Sequence, residues 1–141
     1  MKRKGYLHEQ VYNINNINCA DLIARKHKKK HYGICRHDKN AQIENERLAE
    51  ELKDLTYTTS QYTTFVVHEP KERIIFRLPY YPDRIAHHAI MNILEPIFIK
   101  NFIKHTYACI KGRGIHLLAK NIKKVLTKYP DKTKYCLKLD I

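Results

Sequence analysis

Asp140 is the residue whose surroundings point most directly to chemistry. It follows the apolar run Tyr135-Cys136-Leu137-Lys138-Leu139. A carboxylate at the end of a buried strand is held firmly and faces open space, as a divalent-metal ligand must. Lys71 and Arg73 flank a turn rich in charge, Glu69-Pro70-Lys71-Glu72. A lysine point charge and a bidentate arginine there can reach the triphosphate of a nucleotide. Lys111-Gly112-Arg113-Gly114 places two cations between small residues, so backbone can approach a phosphate chain. The residues alone leave plainer readings open. Asp140 also suits a turn or helix cap, the hairpin an exposed basic surface, and the glycine loop an ordinary turn before a helix.

Composition agrees with a polyanionic partner. Lys plus Arg number 27 against 14 Asp plus Glu, a formal net charge of +13 over 141 residues. Such a field attracts nucleic acid or, less often, an acidic membrane surface, although a merely solvated basic surface carries the same charge. A hydrophobic content of 43% argues for a packed core of one modest domain. The start, MKRKGYLHEQ, has no apolar signal core, and no run reaches the length of a membrane span. Cys19, Cys35, Cys109 and Cys136 form no CxxC pair, so they read as reduced thiols of a cytoplasmic protein.

The elements that must position these residues follow from periodicity. Asn18 is placed to cap a helix over Cys19–Lys30 that runs into the basic stretch Arg25–His31. That stretch reads as a solvated face or a phosphate-binding edge. His27, His31, Cys35 and His37 follow at spacings of four, four and two. Gly33 interrupts a helix there, and the spacing differs from the common zinc sets. A basic surface with a lone buried thiol is therefore preferred to a structural zinc. Residues 41–55 predict an amphipathic helix with Ile43, Arg47, Leu48, Leu52 and Leu55 near one face. Residues 56–67 and Arg73–Leu78 predict two strands of a hairpin. Asp83 is placed as an N-cap before a helix, and Pro96 as the start of a second. His87 and His88 read as packing histidines. A further helix over Ile115–Lys128, with Leu118, Ile122, Val125 and Leu126 as its stripe, precedes a strand over Tyr135–Ile141.

The order of these pieces resembles the fingers and early palm of bacterial retron-type and group II intron-like reverse transcriptases. It is most similar to those of diversity-generating retroelements and related phage or bacterial enzymes. The resemblance is carried by Pro70-Lys71-Glu72-Arg73-Ile74-Ile75, Leu78-Pro79 and Pro82-Asp83-Arg84-Ile85. It continues through Leu94-Glu95-Pro96 with Phe98 and Phe102, then Tyr107-Ala108-Cys109. Gly112-Arg113-Gly114 with His116 and Ala119, and Leu137-Lys138-Leu139-Asp140-Ile141, complete it. Roughly half the chain is covered, and residues 1–68 match only as a basic helical preface.

The resemblance implies RNA-directed DNA polymerase activity with an RNA template, a DNA primer and dNTP. It implies two-metal catalysis with Mg2+, or Mn2+ in its place. It makes Asp140 the first catalytic aspartate and metal ligand, and Lys71 and Arg73 nucleotide-binding. Arg84, Lys111, Gly112, Arg113 and Gly114 are set near template and primer. The family's later paired aspartates and its thumb have no counterpart in this sequence, so the expectation is an N-terminal part that is inactive alone. The alternative is a catalytically dead basic RNA-binding module. The expected fold class is α+β. A basic helical region occupies 1–55, fingers with a small antiparallel hairpin 56–134, and the first palm strand 135–141.

Overall fold

A computed structural model describes residues 3–28 and 30–139. Among these the chain is α+β, with six α-helices and one two-stranded antiparallel hairpin. It forms two compact units, Met1–Ile97 and Phe98–Ile141.

The first unit opens with α1 (Leu7–Tyr12) and α2 (Ile14–Ala24). The cap of α2 is Asn13 and not Asn18. The Asn13 side chain accepts from the backbone N–H of Asn15 at 2.9 Å. The helix also ends at Ala24, before the basic run, where Arg25 folds back onto Asp21. The asparagines inside the helix make tertiary bonds instead of capping it. Asn16 donates to the carbonyl of Ala89 at 3.0 Å and accepts from Asn92 at 3.0 Å. Asn18 accepts from Asn45 at 3.0 Å.

Helix α3 (Tyr32–His37) contains Gly33, so the glycine does not interrupt the helix as the sequence predicts. It is there for space: a Cβ on Gly33 would sit 3.0 Å from the Cβ of Tyr80. Cys35 is exposed, and the buried residues of α3 are Ile34 and His37. The expected buried thiol is thus a buried imidazole.

Helix α4 (Ala41–Lys53) falls within the predicted 41–55. Its inward stripe is Asn45, Leu48 and Leu52. Ile43 and Arg47 are exposed, and Leu55 lies beyond the helix end in left-handed backbone at φ 57°. At 3.6 residues per turn Ile43 points well away from Leu48, which accounts for the first difference.

Ile17 and Ala20 of α2, Leu48 and Leu52 of α4, and Ile85, Ala86 and Ala89 of α5 (Ile85–Asn101) close one core. Each fully buried Ile or Leu contributes about 1.5–3 kcal/mol. The two alanines let α5 approach closely.

Strands β1 (Thr63–Val67) and β2 (Arg73–Arg77) pair antiparallel, Thr63 opposite Arg77 and Val67 opposite Arg73. Residues 56–62 are not in the ladder. They are held by Asp83, whose Oδ1 accepts from the Tyr57 hydroxyl at 2.8 Å and the Ser60 N–H at 3.0 Å. Asp83 therefore does not cap a helix. It is fully buried within a kinked turn, Tyr80–Arg84, that precedes α5. Burial opposes its charge, but the Ser60 and Tyr57 donors hold the carboxyl below the ordinary carboxylate value, and Asp83 in turn pushes the Tyr57 hydroxyl, already raised by burial, to about 12.

Pro96 lies inside α5 and starts no second helix. Proline removes one N–H bond, and the apolar residues Ile93, Leu94, Ile97 and Phe98 lie on both sides of it. In the second unit the Phe98 and Phe102 rings stack at 6.4 Å. Helix α6 (Ile115–Lys128) has the predicted bounds, with Ile122, Val125 and Leu126 exposed. The predicted strand at 135 is absent over 135–139, where Tyr135, Leu137 and Leu139 are exposed. A strand needs a neighbour to take its backbone groups, and none pairs with this segment among the described residues. Three helices expected between 83 and 128 become two among the described residues, because α5 runs through Pro96.

Candidate functional site

Lys71 and Arg73 sit at the tip of the hairpin and at the first residue of β2, both exposed. The two-stranded ribbon leaves every residue of β2 exposed, so its tip projects into solvent. His68 Nδ1 lies 3.6 Å from Glu72 across that tip. Neither Lys71 nor Arg73 has a carboxylate within ion-pair distance among the described residues. Both cations are therefore available to phosphate.

Lys111, Gly112, Arg113 and Gly114 form a tight turn in which Ile110 and Arg113 bridge. The Arg113 N–H donates to the Ile110 carbonyl at 3.0 Å. Gly112 has φ +77°, a left-handed backbone that a side chain would strain. Lys111 is exposed, while Nη1 of Arg113 is buried with no hydrogen-bond partner. Asp140, the expected metal ligand, lies outside the described residues.

Arg84 is exposed at the end of the Tyr80–Arg84 turn. It lines a cavity of about 520 Å³ with Lys28, Tyr32, Arg36, Phe65 and Arg77. Lys28 belongs to the basic run read from sequence as a phosphate-binding edge. Phe65 and Arg77 come from the hairpin, far away in the chain, and no local pattern marks them as its neighbours.

Behind this cavity lies a network of charges that sequence reasoning missed. Asp21 accepts from Arg25 through both oxygens, at 2.7 and 2.8 Å from Nη2. Arg25 Nη1 also donates to Asp38 at 2.5 Å. The Tyr80 hydroxyl donates to Asp21 as well. Burial works against the Asp21 charge, but His37, Arg25 and Tyr80 outweigh it and hold its carboxyl at about 2. The signal in the sequence was an Asp and an Arg four apart on a helix, Asp21 and Arg25.

His37 is buried in the same network. Its Nδ1 pairs with Glu44, and its Nε2 lies 3.7 Å from Asp21. Its ring stacks on Tyr81 at 5.3 Å. His37 is thus committed to two carboxylates, and the histidine–cysteine set of the basic segment is not gathered into one cluster among the described residues. Among the described residues no group of His, Cys, Asp or Glu is placed to hold a metal ion.

Burial alone would push the His37 imidazole down, but Asp21 and Glu44 raise it above its ordinary 6.5. The folded state therefore favours the protonated ring. That stabilisation is complete below the ordinary value and is lost as pH rises through the raised one. Tm of the wild type and His37→Gln, compared at about pH 6 and about pH 9, is expected to show a gap that narrows at the higher pH. A gap independent of pH would show that His37 is not held as a cation.

No protein-family model matches the chain, and no curated protein matches it. No helix among the described residues is long and apolar enough to cross a membrane.

Proposed function

We propose that this chain supplies the fingers and the beginning of the palm of an RNA-directed DNA polymerase. One observation carries the reading: the ordered series of short motifs from Pro70 to Asp140, which resembles that of reverse transcriptases in order and spacing. The projecting hairpin, with Lys71 and Arg73 exposed and unpaired, supports it. So does the net charge of +13, which suits a template and primer of polyanionic backbone.

In this reading Lys71 and Arg73 grip the phosphates of the incoming dNTP. Lys111, Arg113 and Arg84 contact the nucleic-acid backbone, and Gly112 and Gly114 let the chain approach it. Asp140 would hold the divalent ion, Mg2+ or Mn2+, and a carboxylate oxygen suits a cation of that hardness. The ion supplies neutralisation of phosphate charge and activation of a hydroxyl.

The test is a split enzyme, this chain mixed with a palm-and-thumb half, assayed for RNA-templated DNA synthesis. Lys71→Ala and Arg73→Ala are each expected to raise KM for dNTP about 10- to 100-fold, the loss of a charge-assisted phosphate contact. Unchanged KM in both variants would remove the hairpin tip from nucleotide binding. A second reading, a basic RNA-binding module without catalysis, is favoured by the same exposed cations. It differs in requiring no role for Asp140.

A further inference from the structure

The cavity beside Arg84 has the volume of a small-ligand site. Its walls are fixed. The Tyr81 hydroxyl donates to the Glu44 carbonyl at 2.9 Å, and the Tyr81 ring rests on His37. Tyr80 is tied to Asp21, and Gly33 lies against its Cβ. Glu44, the one carboxylate of the lining, is engaged by His37.

The charge of the lining is otherwise one-sided. Lys28 and Arg36 stand on the side of α3, and Arg77 and Arg84 on the side of the hairpin base and turn. None of the four has a carboxylate within ion-pair distance among the described residues. The effect reaches His88, which is held below its ordinary value by burial first and then by Arg84, His87 and Lys28. Two aromatic faces complete the site: Tyr32 is 80% exposed and Phe65 48%.

Exposed rings between unpaired cations are what a single-stranded nucleic acid requires, because bases stack and phosphates need charge. We infer that this cavity receives one unpaired nucleotide of an RNA strand, its base against Tyr32 and Phe65 and its flanking phosphates at Lys28, Arg36, Arg77 and Arg84. The site is separate from the hairpin-tip cations assigned to dNTP, and it rests on the reading of the chain as part of a nucleic-acid polymerase. Cations from two separate parts of the chain, Lys28 with Arg36 and Arg77 with Arg84, suit a strand that enters and leaves. A free nucleotide shares the base and phosphate chemistry and is the competing source.

The experiment is fluorescence anisotropy on the full chain with a labelled oligoadenylate RNA, an RNA duplex, and dATP as competitor. The double variant Tyr32→Ala with Arg36→Gln changes two exposed residues, and an unchanged thermal melt verifies its fold. Lys53→Gln on α4 controls for loss of one charge elsewhere. The double variant is expected to raise Kd for single-stranded RNA about 10-fold or more and for duplex less than about 3-fold. Lys53→Gln is expected to change both less than about 3-fold. Excess dATP is expected not to displace the strand. Equal losses on strand and duplex, wild-type affinity of the double variant, or displacement by dATP would each overturn the inference. If the wild type binds the RNA and the double variant binds it equally, this site alone fails. If the wild type binds neither strand nor duplex, the parent reading fails with it.

Discussion

Asp21→Ala is expected to lower the unfolding free energy by about 3–5 kcal/mol, the scale of breaking a buried ion pair from one side. The substitution strands Arg25, which loses its bidentate partner and keeps only Asp38 on the surface. It also takes a carboxylate from His37 and one of two acceptors from the Tyr80 hydroxyl, which keeps the Asp21 backbone carbonyl at 3.1 Å. Three elements, α2, α3 and the Tyr80–Arg84 turn, are joined through that one side chain. Urea denaturation of the variant measures the loss. A deficit below about 1 kcal/mol would mean that solvent replaces the network at little cost. The pH dependence has a definite sign. With its folded value at about 2, Asp21 contributes stability that is complete above the unfolded carboxylate range and is lost as pH falls through that folded value. The wild type is therefore expected to lose its advantage over Asp21→Ala in acid. Asp21→Ala with Arg25→Ala is expected to cost less than the sum of the two single changes, because the residues share one interaction.

Local patterns made the helices α4 and α6 and the hairpin legible. Each shows in one stretch of sequence, as apolar residues at helical spacing or as β-branched residues bounded by turn residues. The misplaced pieces depend on distant partners. Gly33 marks close packing and not a helix break, because Tyr80 occupies the space a side chain would need. Asp83 turns inward because Tyr57 and Ser60 present donors to it. Asn18 accepts from Asn45 and so does not cap α2. Leu137 and Leu139 read as strand, but no neighbour pairs with them among the described residues.

The candidate site divides the same way. The cations Lys71, Arg73, Arg84, Lys111 and Arg113 could be picked out by type and position in a motif series. The cavity could not. Its wall joins Lys28 and Arg36 to Phe65 and Arg77, and only folding shows that the hairpin base lies beside α3. The His37 cluster was hidden for a further reason. A histidine among lysines looks like surface, and its burial depends on Asp21 and Glu44 both being carried to it.

Asp140 carries the largest functional prediction. If Asp140 is a ligand of the catalytic ions, as proposed, it contributes several kcal/mol to the transition state, and Asp140→Ala is expected to lower DNA synthesis about a thousand-fold or more. Its effect should fall on kcat and leave binding of RNA nearly unchanged, because in the proposed reading the ions act on reacting groups while the basic surfaces hold the strand. Asp140→Asn should fare little better, since a neutral amide lacks the charge that the ions require.

The most direct measurement is primer extension on an RNA template by this chain mixed with a palm-and-thumb half, with Mg2+ and all four dNTPs, comparing wild type and Asp140→Ala. DNA synthesis by the wild-type pair is expected, and about a thousand-fold less by the variant, with both pairs shown to assemble. Synthesis undiminished by Asp140→Ala, or none from an assembled wild-type pair, would contradict it.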